Sequence, residues 1–242
     1  MDVIADLEAE QERLESLLAD LTPEQWAQPS AAAGWTISDV VVHLAQTEEA
    51  VAVSVASDAR ADLWHRDGSL DDAVDAAVRA QAAPPQEVFH RWRIARRTSV
   101  AALRQADPQR RVPWAATPLK PMVLATTRLA EHWAHGLDIA GPLGLPFPDT
   151  ARLRHIAWLG HRTLPYAFTV EGEQPHDVYC ELTGPDGVVW EFGTPDADSA
   201  IRGPVGDFCR VGARRLRPED TDLVTTGPHS AAALRVLRNY AV

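Results

Sequence analysis

Arg128-Leu129-Ala130-Glu131-His132-Trp133-Ala134-His135-Gly136-Leu137-Asp138 is the stretch on which the reading of this chain turns. On a helix, Glu131 and His135 are four residues apart and so separated by only about 40° around the axis. A carboxylate and an imidazole stacked in this way can grip one divalent cation from one side. One ligand from another helix would complete a three-residue site with open positions. His43, in Trp35-Thr36-Ile37-Ser38-Asp39-Val40-Val41-Val42-His43-Leu44, is the best candidate. Two histidines and one carboxylate leave room for water or substrate on zinc, and the same set accepts iron, manganese or nickel. His132 complicates the assignment, because His132 and His135 at a spacing of three could share a ligand instead. Asp138 continues the Glu131–His135 line. It either accepts a hydrogen bond from a ligand imidazole, fixing the ring, or is a solvated acid near the helix end.

Leu119, Val123, Thr126, Ala130, Trp133 and Leu137 repeat at helical spacing around this stretch. They predict a helix over about 118–140, ended by Gly141-Pro142-Leu143-Gly144. Earlier segments read the same way. Residues 3–21 put Val3, Ile4, Leu7, Leu14, Leu17, Leu18 and Leu21 on one face. Thr36-Ile37-Ser38-Asp39 matches a capping box opening a helix over 37–57, which carries His43. Further helices are expected over 69–82, 86–106 and 149–166, with Ser57 to Ser69 irregular. Four long helices joined by short or moderate loops imply an up-and-down bundle, whose cofactor sites are built from inward side chains of facing helices.

The period changes after Phe168. Val178-Tyr179-Cys180-Glu181-Leu182 and Val188-Val189-Trp190-Glu191-Phe192 alternate like strands and are joined by Gly184-Pro185-Asp186-Gly187, a hairpin signal. A third short strand is expected at 200–203, a helix from Pro204 to about Leu216, a last strand at 222–226 and a closing helix from Pro228 to Tyr240. The fold class is therefore α+β: a helical domain at 1–168 and a small α/β domain at 173–242.

Composition narrows the function classes. The 242 residues are 45% hydrophobic, enough for a real core, and the formal net charge is −11. Such an acidic chain argues against nucleic acid or an anionic membrane as the main partner. No apolar run approaches the roughly 18 residues that span a bilayer. The acidic start, Met1-Asp2-Val3-Ile4-Ala5-Asp6, lacks the basic region of a signal peptide. With only Cys180 and Cys209, read as small buried residues, the chain is expected to be a reduced, cytoplasmic protein, monomer or homodimer. No Gly-x-Ser-x-Gly and no phosphate-cradling glycine loop occurs. Arg91, Arg93, Arg96, Arg97 and Arg104 line one face of the helix at 86–106, either as a solvated face or as an anion-facing wall.

Gly34-Trp35-Thr36 before a helix with Val42-His43-Leu44, followed far downstream by Glu131-x-x-x-His135-Gly136-x-Asp138, resembles the mycothiol-dependent maleylpyruvate isomerase family. That family belongs to the broader DinB-like helical-bundle metalloproteins. Val189-Trp190-Glu191-Phe192-Gly193 through Gly203-Pro204-Val205-Gly206-Asp207-Phe208-Cys209 resembles its companion domain, an α/β module like the sterol-carrier proteins. The resemblance spans nearly the whole chain. It implies that His43, Glu131 and His135 bind a divalent metal, usually zinc, and that the low-molecular-weight thiol mycothiol is cofactor or cosubstrate, as in actinobacteria. The implied chemistry is addition of the thiolate to an electrophilic small molecule, giving cis–trans isomerisation or S-transfer. Outside the family's motifs, Arg202, Arg210 and Arg214 of the small domain are either solvated surface or hold a substrate carboxylate by bidentate contacts. The competing expectation is a DinB-like protein that binds or senses a small molecule without turnover.

Overall fold

A computed structural model describes residues 2–57, 70–115 and 117–239. Of the expected irregular stretch, residues 58–69 lie outside these, as does Tyr240 of the expected closing helix, which ends earlier than expected, at Val236. The chain forms two compact units, the first ending at Phe147 and the second beginning at Pro148.

The first unit comprises α1 (Val3–Ala19), α2 (Pro23–Trp26), α3 (Ile37–Ser57), α4 (Leu70–Ala80), α5 (Pro85–Gln105) and α6 (Pro121–Ala140). Local chemistry starts several of them. Asp2 accepts from the backbone of Ile4 and Ala5 and caps α1. At α3 the expected capping box is in place: Thr36 Oγ1 accepts from the Asp39 backbone at 3.2 Å, and Asp39 Oδ2 accepts from the Thr36 backbone at 2.9 Å. The long helices α1, α3, α5 and α6 form the bundle. Its main pairings are α3 on α5 and α1 on α6, with lesser contact of α1 on α5 and of α3 on α6. Leu14, Leu18, Trp26, Ile37, Val41, Leu44 and Trp92 are buried together in its core. Helix α6 starts at Pro121, later than the periodicity predicts, because Val112 and Leu119 exchange backbone hydrogen bonds of 2.8 and 3.0 Å in a bridge just before it.

The arginine face of α5 is a solvated face, with Arg97 and Arg104 exposed, and its arginines are paired with acids rather than left open to an anion. Arg93 and Arg96 pair with Glu15 of α1, Arg104 with Glu8, and Arg91 gives two bonds of 2.7 Å to Glu49 of α3. The seam matches the acidic face of α1 to the basic face of α5. Each exposed pair contributes only about 0.2–1 kcal/mol, so the seam chooses the partner helix more than it stabilises the bundle.

The second unit opens with α7 (Leu153–Val170), then β1 (Tyr179–Thr183), β2 (Val189–Phe192), β3 (Ala200–Pro204), α8 (Val205–Gly212), β4 (Val224–Thr226) and α9 (Ser230–Val236). The sheet order is β2-β1-β3-β4, with β1 antiparallel to β2, parallel to β3, and β3 antiparallel to β4. The hairpin predicted around Gly184–Gly187 joins β1 to β2. Cys180, Leu182, Trp190 and Ile201 are buried, and α7 and α8 pack on the sheet. The change of period after Phe168 grouped α7 with the helices before it. Its apolar face, with Leu153, Ile156, Ala157 and Leu164, instead packs on α8, α9 and β2. Among the described residues no helix is long and apolar enough to cross a membrane.

Candidate metal centre

His43 is carried by α3, and Glu131 and His135 by α6. One ligand atom from each lies within 4.8 Å of the others. His43 Nε2 and His135 Nε2 both stand 3.5 Å from Glu131 Oε2. Two donors on one tetrahedral zinc, each at about 2.0–2.1 Å, are about 3.4 Å apart, so the donors stand at ligand spacing. Both histidines are buried, while the Glu131 side chain is 27% exposed and gives the cluster its opening.

The surroundings orient these donors. Asp138, buried on the same helix, sits 2.9 Å from His135 Nδ1. The Nδ1 proton then points to Asp138, which leaves Nε2 as the ring nitrogen that faces Glu131. Burial opposes charge on His135, but hydrogen bonds to Asp138 and Glu131 outweigh it and hold its pKa above the usual value. Burial lowers the pKa of His43. For Glu131 burial works upward, yet His135 and His43 together pull its carboxyl well below the ordinary range. The Trp35 ring lies 5.2 Å from the His43 ring and 6.3 Å from that of His135, nearly parallel to the latter. Its Nε1 donates to Asp75 of α4 at 3.0 Å, which fixes the indole as a wall of the site. Gly136 serves the far side of the helix. A Cβ there would come within 2.3 Å of the Phe147 ring, so the glycine lets that ring lie directly on α6 beside His135.

His132 is engaged elsewhere, and the alternative pairing of His132 with His135 is not what the chain builds. His132 Nδ1 lies 2.9 Å from the Arg128 carbonyl, and Trp92 Nε1 donates to His132 Nε2 at 3.3 Å. Both ring nitrogens are used, in a neutral tautomer. Burial pushes the pKa down to about 4, in keeping with that state. Around it runs a buried polar network. Arg128 donates to Glu48 at 2.8 Å and to Thr47 Oγ1 at 2.6 Å, and Ser99 Oγ donates to the other Glu48 oxygen. Glu48 and Thr47 are on the helix of His43, and Arg128 on the helix of Glu131 and His135. The network therefore ties the two ligand-bearing helices together one turn from the site. Sequence reading missed this network and the wall role of Trp35. The contacts join residues far apart in the chain: Arg128, His132 and Trp35 stood in quoted stretches, but nothing there pointed to Glu48, Ser99, Trp92 or Asp75 as their partners.

The candidate arginines all lie in the second unit. Arg210 gives bonds of 2.9 and 2.8 Å to the two Asp149 oxygens. Arg202 lies over the Tyr179 ring and 3.6 Å from Glu181. Arg214 is exposed and makes no ion pair or side-chain hydrogen bond among the described residues. Cys180 and Cys209 are both buried, and burial raises both thiols, that of Cys180 to about 12, so neither is a ready nucleophile.

The comparisons with known proteins bear on the family and the fold. The family described as the mycothiol maleylpyruvate isomerase N-terminal domain matches residues 7–140. Two uncharacterized proteins from strains of Mycobacterium tuberculosis are each 35% identical over 246 residues, covering 98% of this chain and 95% of theirs. The crystal structure of the mycothiol-dependent maleylpyruvate isomerase superposes with a TM-score of 0.62 at 12% identity, over 93% of this chain and 95% of the other. A histidine-to-alanine mutant of that isomerase gives a TM-score of 0.61 at 13% identity, with the same coverage. At such identities the two structures speak for the fold alone: helices first, then the small sheet. With the matched segment covering the helical unit that holds His43, Glu131 and His135, the chain belongs to the mycothiol maleylpyruvate isomerase family.

Proposed function

We propose that this protein is a metal-dependent enzyme that uses a low-molecular-weight thiol, mycothiol in the first instance, against an electrophilic small molecule. The observation that carries the proposal is the convergence of His43 Nε2, His135 Nε2 and Glu131 Oε2 at ligand spacing, with one histidine already oriented by Asp138. The donor set fits a divalent ion of borderline softness, zinc first. His43 Nδ1 is buried and has no partner among the described residues, so that imidazole is not built into a closed network as His132 is. A divalent cation held there supplies a position at which a thiol ionises near neutral pH.

The chain's own residues do the rest. Around a cation, His43 and His135 would each offer Nε2, and Glu131 would offset part of the charge while leaving the outer side open. Asp138 keeps His135 from rotating away. Trp35 gives a flat apolar wall against which a conjugated substrate can lie. The buried Arg128 beside the site is paired with Glu48, which offsets part of the positive charge it presents there. The net reaction is either cis–trans isomerisation of a maleylpyruvate-type substrate, with the thiol returned, or transfer of the thiol to the electrophile.

The test is incubation of the purified metal-loaded protein with mycothiol and maleylpyruvate or another conjugated electrophile, followed by mass spectrometry and chromatography. Isomer at constant thiol identifies isomerisation, and a thiol adduct identifies S-transfer. If neither forms while metal and thiol both bind, the protein is a binder or sensor and the enzymatic reading fails.

A further inference from the structure

We propose a second binding site, for a small organic oxyanion, in the cleft between the end of α8 and helix α9. The cleft has a volume of about 360 Å³, within the range of small-molecule pockets. Arg214, Arg215, Arg217 and Arg235 line it, with Asp220 as the acid among the lining residues and Leu216 and Leu234 as an apolar floor. Four guanidinium groups around one cleft stand out in a chain of formal net charge −11.

Three of the four are held in place. Arg215 Nη1 donates to the Ala213 carbonyl at 2.6 Å. Arg217 donates to both Asp220 oxygens at 2.8 and 3.2 Å, and Arg235 to Glu173 at 2.6 Å. Arg214 has no such partner among the described residues.

The backbone makes Arg214 more telling. Helix α8 ends in a Schellman motif: the Arg215 N–H donates to the Arg210 carbonyl at 2.8 Å, and the Arg214 N–H to the Val211 carbonyl at 2.9 Å. That motif places Arg214 in the left-handed region, at φ 56°, the sole non-glycine there among the described residues. Glycine is the ordinary occupant, because a Cβ is strained at positive φ. An arginine at that position gives up stability for a side chain, and that side chain lines the cleft with no ion pair among the described residues. The unpaired charge of Arg214 selects an anion. The planar fork of Arg214 suits the paired oxygens of a carboxylate or phosphate. The leucine floor suits a short apolar body attached to that head group. This site is argued from the second unit alone and does not rest on the metal reading.

The experiment is calorimetric titration of the full chain with phenyl phosphate, benzoate and, as the neutral control, phenol. Wild type and Arg214→Gly are compared at two salt concentrations. Arg214→Gly relieves the strain and should raise the melting temperature by about 2–4 °C, so lost binding cannot be ascribed to unfolding. The expected result is binding of at least one anion and not of phenol, weakened at least tenfold in Arg214→Gly and weakened by salt. Preference for phenyl phosphate assigns a phosphate ester, and preference for benzoate a carboxylate. Unchanged anion affinity in Arg214→Gly, equal binding of phenol, or no binding of either anion by wild type would overturn the site.

Discussion

Helix α6 carries two polar clusters one turn apart, and they are built on opposite plans. Around His132 every ring nitrogen is taken, Glu48 answers Arg128, and Ser99 and Trp92 from α5 close the remaining positions. Around His135 the donors point at one another across 3.5 Å, part of Glu131 is exposed, and His43 Nδ1 has no partner among the described residues. Buried polar groups that satisfy one another are scaffolding. Buried rings that converge on one partly exposed carboxylate, with a ring nitrogen left over, can take in something from outside. Identical residue types at neighbouring positions thus serve two ends, and the hydrogen-bond partners tell them apart.

The largest effect should come from the open cluster. His43→Ala and His135→Ala are each expected to lose stoichiometric metal and all thiol-dependent turnover, while melting like metal-free wild type. Metal analysis after dialysis and thermal melting check both halves. The closed cluster should break differently. Arg128→Met leaves Glu48 buried without its cation and is expected to cost about 3–5 kcal/mol in chemical denaturation. Adding Glu48→Gln should recover most of that loss, because a neutral pair no longer carries a buried charge.

The next effect lies at the edge of the open cluster. Asp138→Asn can no longer accept the His135 Nδ1 proton as a carboxylate and should weaken metal binding by about 10–100-fold, read by competition with a chelating dye. The smallest is His132→Ala. It should leave metal affinity nearly unchanged and cost about 1–3 kcal/mol of stability, as Trp92 Nε1 loses its acceptor. Loss of metal in His132→Ala with retention in Glu131→Ala would reverse the roles given to the two clusters.

Where a feature is local, the chain announces it. The capping box at Thr36 and Asp39, the span of α3 and the stacking of Glu131 with His135 all follow from spacings of three or four. Where a feature joins distant segments, it stays hidden. No periodicity connects Glu48 to Arg128, Glu15 to Arg93 and Arg96, or Trp35 to Asp75, and each contact exists only once the bundle has formed. Helix ends fall between these cases. The expected helix from Pro204 to Leu216 stops at Gly212 because a Schellman turn takes over with Arg214, a residue that gives no glycine signal. For the same reason His132, His135 and His43 were equal as side chains and became unequal only through Trp92, Asp138 and the carbonyl of Arg128.

The most direct test is X-ray absorption at the zinc edge of the loaded protein, before and after thiol is added. Two imidazoles and one or more oxygens at about 2.0–2.1 Å, without sulfur, are expected first, and one sulfur at about 2.3 Å once mycothiol is present. A sulfur ligand before thiol is added, or a protein that holds no stoichiometric metal at all, would contradict the assignment of His43, Glu131 and His135.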